Sequence, residues 1–396
     1  MQGKSQNDIS LFVKLLGFYF LALILGAINI GSMGSALKLV GLLPAALWLL
    51  NKRKLEKNSL YYGVLLHAVW AFFSVFWSID FNNSISNCVS LFSFCLMLMA
   101  ASSYTYSKIE LTLLKNMLCW SSRITVITAL LSGQYYQGRL FFNGMISEDP
   151  NYLCGYFFFG IADCVLSLYS AEKKKHKFFR AIELGTYVYA IVATGSRGGA
   201  IAVAVTALTI SSIMMHRQKL SRKIILSRIA VMVVLMIVFW TVTNYIPADI
   251  LSRFSIDDVK ESNAAGRFDI WRDTLSTYRN AEIGRQIGGF GTATSLAVSK
   301  QMNFQRIGVS HNAFLSNLIE LGAIGILLYA MYLFVFVRYV FVKQEVFSLA
   351  IMLGLIALSM SVSITVFKPY WNIMLYICCF SKSDLAVSKN SFRCKH

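Results

Sequence analysis

The sequence predicts an all-α polytopic membrane protein, and three observations lead there. The chain has 396 residues, 56% hydrophobic and only 14% charged, whereas a soluble domain carries roughly 25% charged residues. Apolar runs recur at lengths near the roughly 20 residues that cross a bilayer. The remaining basic residues crowd into a few short loops. In hydrocarbon every backbone polar group must be satisfied within the protein, so such runs are helices, not open sheet.

About twelve runs are legible, at 9–30, 36–50, 60–78, 86–104, 112–131, 151–170, 180–194, 198–215, 224–246, 313–337, 346–366 and 369–381. The second, seventh and twelfth are short, so their ends are loosely set. Lys52, Arg53, Lys54 and Lys57 fill one connection, and Lys173, Lys174, Lys175, Lys177 and Arg180 fill another. Arg217, Lys219, Arg222 and Lys223 fill a third, and Lys382, Lys389, Arg393 and Lys395 lie in the tail. With twelve spans all four groups fall on one side. Short basic loops stay in the cytoplasm, so both termini are expected inside a plasma membrane. The opposite connections, 31–35, 79–85 and 132–150, are poor in lysine and arginine. The net charge of +18 is therefore a topology signal, and nucleic acid is not expected as a partner.

The first run is long and lacks a small-residue cleavage site, so it is expected to stay as a helix. The eight cysteines show no paired spacing and fit small buried hydrophobes better than disulfides or metal ligands. Cys394 is third from the end, so no prenylation box exists.

The chain divides into spans one to nine (1–246), a long outer segment (247–310), and spans ten to twelve with a cytoplasmic tail (311–396). The long segment holds eight basic residues, Arg253, Lys260, Arg267, Arg272, Arg279, Arg285, Lys300 and Arg306, against seven acidic ones. Long loops escape the positive-inside bias. Within the segment, Phe268, Trp271, Leu275 and Tyr278 recur at helical spacing. They predict an amphipathic helix over Asn263–Asn280, capped by Ser262 or Asn263. Its apolar face is expected on the membrane surface or against the spans. The chain shows no internal repeat, which weakens a transporter.

Five histidines are present. His176 and His216 lie in basic inner loops, His396 is terminal, and His67 sits within the third span as a hydrogen-bonded packing residue. His311 alone faces the outer compartment, where the long segment enters the tenth span. Histidine is suited to proton transfer near neutral pH, although a histidine at a helix start is often merely structural. Arg197 lies in a tight turn, Thr194-Gly195-Ser196-Arg197-Gly198-Gly199, whose glycines leave backbone amides accessible to an oxyanion. An arginine fork matches phosphate; an exposed interfacial arginine is the plainer alternative. Arg267 stands in the first turns of the outer helix, where anions are favoured, or pairs with Asp269 or Asp273. Gly288-Gly289-Phe290-Gly291-Thr292 is either a phosphate or sugar cradle or a plain turn. Asp149, before Pro150 and Asn151, is a helix cap or a contact to an acceptor sugar. Arg123 and Asp163 lie inside apolar spans, where charges are costly. They are either functional or an inter-helix contact. Asp257 and Asp258 are not a sound metal signal, and no metal or other cofactor is expected.

These residues resemble the O-antigen polymerase and O-antigen ligase family of bacterial envelope glycan assembly. The family pattern is histidine, then Asn, Ser or Gln, nine residues, Gly, two residues, and Gly, Thr or Tyr. His311, Asn312, Gly322 and Gly325 match it without a gap. Arg197, in a short turn after an apolar span, resembles the family's first essential arginine. Arg267, in Gly-Arg-x-x-x-Trp, resembles the second. The long outer segment between spans nine and ten is similar too. The resemblance implies a C-type glycosyltransferase architecture and a polyprenyl-diphosphate-linked sugar donor. It implies metal-independent transfer with inversion, with His311 catalytic and Arg197 and Arg267 binding the diphosphate. Arg139, Asp149 and Asn312 are further candidate contacts. The expected function is a polysaccharide repeat-unit polymerase at the outer face of the inner membrane, acting on undecaprenyl-diphosphate-linked oligosaccharide. A chain-length regulator is a candidate partner. The alternatives are a ligase moving the finished chain to lipid A core, a lipid-linked oligosaccharide flippase, and a non-catalytic assembly scaffold.

Overall fold

A computed structural model describes residues 9–26, 36–51, 55, 57–136, 138–141, 150–170, 173–217, 250, 253–255, 263–363 and 367–383. The ninth predicted span, Asp149, Asp257, Asp258 and His396 lie outside these residues.

The described chain is helical apart from one small hairpin. The helices are α1 (Leu11–Leu21, continued by a 3-10 turn Ala22–Gly26), α2 (Ala36–Leu50), α3 (Ser59–Ser74), α4 (Phe81–Ser102) and α5 (Lys108–Ser132). Strands β1 (Gln134–Tyr136) and β2 (Arg139–Phe141) then pair antiparallel, Tyr135 opposite Leu140. Next come α6 (Pro150–Gly155), α7 (Phe158–Ser170), α8 (Lys174–Ala193) and α9 (Arg197–Arg217). The segment before the histidine carries α10 (Asn263–Asn280), α11 (Ile283–Gly288) and α12 (Ser295–Gln301). The last helices are α13 (Ala313–Val342), α14 (Val346–Leu358) and α15 (Lys368–Ser381).

Eleven of the twelve predicted runs fall on described helix. Among the described residues, five helical stretches are long and apolar enough to cross a membrane: Ser59–Trp77, Phe81–Ser102, Pro150–Ser170, Arg197–Arg217 and Ala313–Val342. Leu11–Gly26, Val40–Leu50 and Val346–Leu358 are shorter apolar helices. The run at 346–366 departs from expectation, because α14 stops at Leu358. Its next carbonyl, that of Ser359, accepts from the amide of Ala313 at 2.8 Å, so the chain turns under the start of α13 instead of continuing.

The core is one large cluster with two small satellites. Helix α14 lies along α9, α13 along α3, and α1 along α5. The charges expected to be costly inside spans neutralise one another. Arg123 of α5 meets Asp163 of α7 at 2.8 Å and Glu183 of α8 at 2.7 Å, and Arg180 reaches Glu183 at 2.5 Å. Glu183 lies eleven residues before Thr194 on the same helix, roughly 16 Å at 1.5 Å per residue. The network therefore ties helices and stands away from the Arg197 turn.

Helix α10 has the predicted bounds, and its buried stripe overlaps the predicted face in part. Ile270 and Thr274 are buried, with Ile270 packed among Phe290, Val298, Phe304 and Ile319. Phe268 is 48% exposed. Of the marked residues, Tyr278 packs against this same cluster and Trp271 and Leu275 are half-buried, so Phe268 alone turns away from it.

Candidate functional site

The tenth predicted span is a broken helix. Gly322, inside α13, has φ +68, a region L side chains rarely adopt. The break frees carbonyls of the preceding turn, and other groups take them up. Phe290 N donates to Ile319 O at 3.0 Å, Gly291 N to Glu320 O at 2.9 Å, and Trp70 Nε1 to Leu321 O at 3.0 Å. Non-helical backbone at membrane depth is tolerated where protein buries it. A Cβ on Gly322 would collide with the carbonyl of Ile287. The glycine of the histidine pattern thus lets the 288–292 loop seat against a half-helix that starts just after His311. This corrects the cradle reading of that loop: its amides are spent. Gly289 N is bonded to Arg285 O, Thr292 N to Ser74 Oγ, and Ala293 N to the buried carboxylate of Glu320.

At the start of this half-helix, Asn312 is the cap. Its side-chain oxygen accepts from Phe314 N at 3.0 Å and Leu315 N at 3.2 Å, as capping requires. Asn312 is 3% exposed, so its oxygen serves the backbone first. His311 is half-buried and held at φ +47, a sparsely populated conformation for a non-glycine residue that persists only where the surroundings enforce it. The enforcement is visible on both sides. Ser310 Oγ lies 2.8 Å from Ser316 Oγ, and Ser316 Oγ 3.0 Å from Ser363 Oγ. One turn deeper, Asn317 donates to Ala313 O at 2.7 Å and lies 2.9 Å from His67 Nε2. The packing role expected of His67 is thus to steady the histidine-bearing half-helix.

Arg197 opens α9. The turn before it is set by Gly195, at φ +59, and by Ser196, whose Oγ accepts from Gly199 N at 3.0 Å. Thr194 Oγ1 donates to Ile191 O at 2.6 Å and contacts Cys154 Sγ. Arg139, delivered by the hairpin, donates from Nε to Thr194 O at 2.8 Å and from Nη2 toward Asn151 Oδ1 at 3.5 Å. Arg197 Nε donates to the carbonyl of Arg253. The Arg253 side chain lies over Gly195, and its Nε is buried without a hydrogen-bond partner. Three arginines therefore gather at one turn. The sequence did not single out Arg253, whose charge looks like that of seven others in the same segment; only its folded position over Gly195 distinguishes it.

Helix α14 and its following turn connect the two halves. Ser361 packs so tightly on Gly198, beside Arg197, that a Cβ on that glycine would collide with it. Ser363 joins the serine chain beside His311, and its carbonyl accepts from Tyr152 of α6 at 2.9 Å. Arg267 enters from a third direction. It is half-buried near the start of α10, and Trp271 stands four residues on, on the same helix face. Trp271 Nε1 donates to the carbonyl of Ser310, the residue before His311, at 2.7 Å. Arg139, Arg197, Arg253, Arg267 and His311 are thus carried by elements that meet at one end of the bundle. The basic starts and ends of the other helices, Lys174–Lys177, Arg217 and Lys382, lie at the opposite end. There Arg217 donates to Gln344 O at 2.9 Å, between α13 and α14. Asp149, the remaining expected contact, is outside the described residues.

An all-α bundle with several apolar helices of spanning length is a membrane protein. Residues 184–330 match the family model described as O-antigen ligase. The matched stretch takes in Arg197, Arg253, Arg267, His311 and both pattern glycines, and it supports the O-antigen polymerase and ligase family for this chain. No curated protein matches the chain.

Proposed function

We propose that this protein is a polysaccharide repeat-unit polymerase that transfers a glycan from undecaprenyl diphosphate to a lipid-linked acceptor. It would be a metal-independent, inverting glycosyltransferase of C-type architecture. It would have about twelve spans in the inner membrane, both termini cytoplasmic and the reaction at the outer face. The observation that carries this reading is the turn after α14, which touches the Arg197 turn through Ser361 and the His311 turn through Ser363.

The chemistry follows from the residue types. As the sugar–diphosphate bond breaks, negative charge develops on the leaving diphosphate. Arg197 and Arg267 neutralise it, with Arg139 and Arg253 beside the turn. Fixed donors aimed at developing charge are worth roughly 2.7–4 kcal/mol each. His311 takes the proton of the acceptor hydroxyl, whose oxygen attacks the anomeric carbon from the face opposite the leaving group. Such base assistance is worth on the order of 10²–10⁴-fold. Asp149 and the free end of the Asn312 amide are contacts for the acceptor sugar, and a chain-length regulator is a candidate partner.

The name of the matching family, O-antigen ligase, favours a second reading, a ligase that moves the finished chain to lipid A core. Reconstitution with defined lipid-linked repeat units, followed by product sizing, tests the proposal. Elongated lipid-linked chains are expected; no elongation, with transfer only onto a lipid A core acceptor, would replace the polymerase with the ligase. In a deletion strain, a single repeat unit capping the core marks polymerase loss. Long chains left on the carrier mark ligase loss.

A further inference from the structure

Two lysines lie within the bundle apart from the arginine turn. Lys368 is the first residue of α15 and is 5% exposed. Its Nζ stands 4.7 Å from the centroid of the Phe94 ring, which stacks on Trp371 at 4.4 Å. Lys38, near the start of α2, donates from Nζ to Ser90 Oγ at 2.8 Å. Ser90 and Phe94 are one turn apart on α4, so their Cβ atoms are neighbours about 5–6 Å apart on one face. The two ammonium groups therefore meet the same face of α4. One turn along α15 from Lys368 is Asn372, fully buried, with neither end of its amide hydrogen-bonded. Buried polar side chains are nearly always bonded, so this one asks for a partner.

Charged side chains inside a membrane mark sites more often than structure. Lys368 also occupies the positive end of its helix, where the dipole opposes a cation and favours an anion. A phosphate suits the whole arrangement: two ammonium groups and, one turn along the same helix, an unpartnered amide donor. The place fits the reaction as well. Phe367, which precedes Lys368, packs edge-on to Tyr152 and Tyr156 of the α6 region at 5.4 and 5.7 Å. Tyr152 in turn bonds Ser363, beside His311.

We propose that Lys38, Lys368 and Asn372 form a second anion site, which takes the phosphate headgroup of a second lipid, the acceptor. This rests on the proposed transfer between two carrier lipids, which requires two such headgroups at once; the arginine turn receives one.

Native mass spectrometry of the full chain in detergent micelles, titrated with undecaprenyl diphosphate, tests it. Phosphatidylglycerol is titrated in a parallel arm. The unaltered protein is expected to take two copies of undecaprenyl diphosphate. K38Q and K368Q should each weaken one copy at least tenfold and leave the other as it was. The partly buried Lys38 keeps the test independent of any folding defect in K368Q. Asn372→Leu, which fits the apolar surroundings, should weaken the same copy without lowering thermal stability. R197A should weaken the other copy. Two copies binding with unchanged affinity in the K38Q/K368Q double variant would overturn the site. Uptake of a single copy by the unaltered protein would do the same. Phosphatidylglycerol displacing the lysine-dependent copy at equal concentration would overturn the acceptor assignment. If R197A keeps both copies while the lysine variants lose one, the arginine assignment falls and the lysine site stands.

Discussion

The indole Nε1 of Trp271 donates to the carbonyl oxygen of Ser310 at 2.7 Å. This bond joins the helix that carries Arg267 to the residue preceding His311. Trp271→Phe keeps the ring and removes the donor. An unmade hydrogen bond of this kind costs about 1 kcal/mol, so turnover should fall roughly five- to tenfold. Donor-lipid affinity, assigned in the proposal to the arginines, should hold. A change in affinity with unaltered turnover would show that the bond positions Arg267 rather than His311.

R197A, R267A and H311A should each abolish or severely reduce polymer formation while protein levels stay normal. The arginine variants should lose donor-lipid binding more than the histidine variant does, because in the proposed reaction guanidinium groups meet the diphosphate whereas the imidazole meets the acceptor. Chain-length patterns matching the unaltered protein in all three variants would remove the assigned site. Equal donor affinity in R267A would take Arg267 out of the diphosphate role.

Arg253 has a buried Nε with no hydrogen-bond partner over Gly195, and its carbonyl is held by Arg197. Arg253→Met keeps the stem and deletes the charge. Donor affinity is expected to fall about tenfold or more, since a charged hydrogen bond contributes roughly 1.5–3 kcal/mol. Isothermal titration with donor lipid measures this directly. Unchanged affinity would leave Arg253 a purely packing neighbour of the turn.

Gly322→Ala puts a Cβ against the Ile287 carbonyl at a backbone angle of φ +68. Strain of this kind costs on the order of 1–3 kcal/mol, and the collision adds to it. Thermal unfolding in detergent should shift downward by several degrees. Activity should drop as the 288–292 loop loses its seat beside the half-helix. A variant as stable and active as the parent would show that the break is not needed.

The sequence announced the bundle because low charge and repeated apolar runs suffice for that; the physics of hydrocarbon leaves helix as the outcome. It also marked α10, with its bounds, and picked out Arg197, Arg267 and His311 from motif spacing. It marked the packed side of α10 only in part: Tyr278 packs with Ile270 while Phe268 is exposed, because aromatic residues suit an exposed interfacial face as well as a core. It left the 288–292 loop open between cradle and turn, since glycines suit both. Only the carbonyls released at Gly322 settle that the loop binds protein.

The chain's own order of residues determined that apolar helices would form and which side chains can carry charge and move a proton. What tertiary structure alone decided is company. Arg253 and Arg139 reach the Gly195 turn from distant segments, Ser361 and Ser363 bridge it to His311, and Lys38 and Lys368 converge on α4. These are long-range contacts, set by how helices pack against one another, and no local periodicity encodes them.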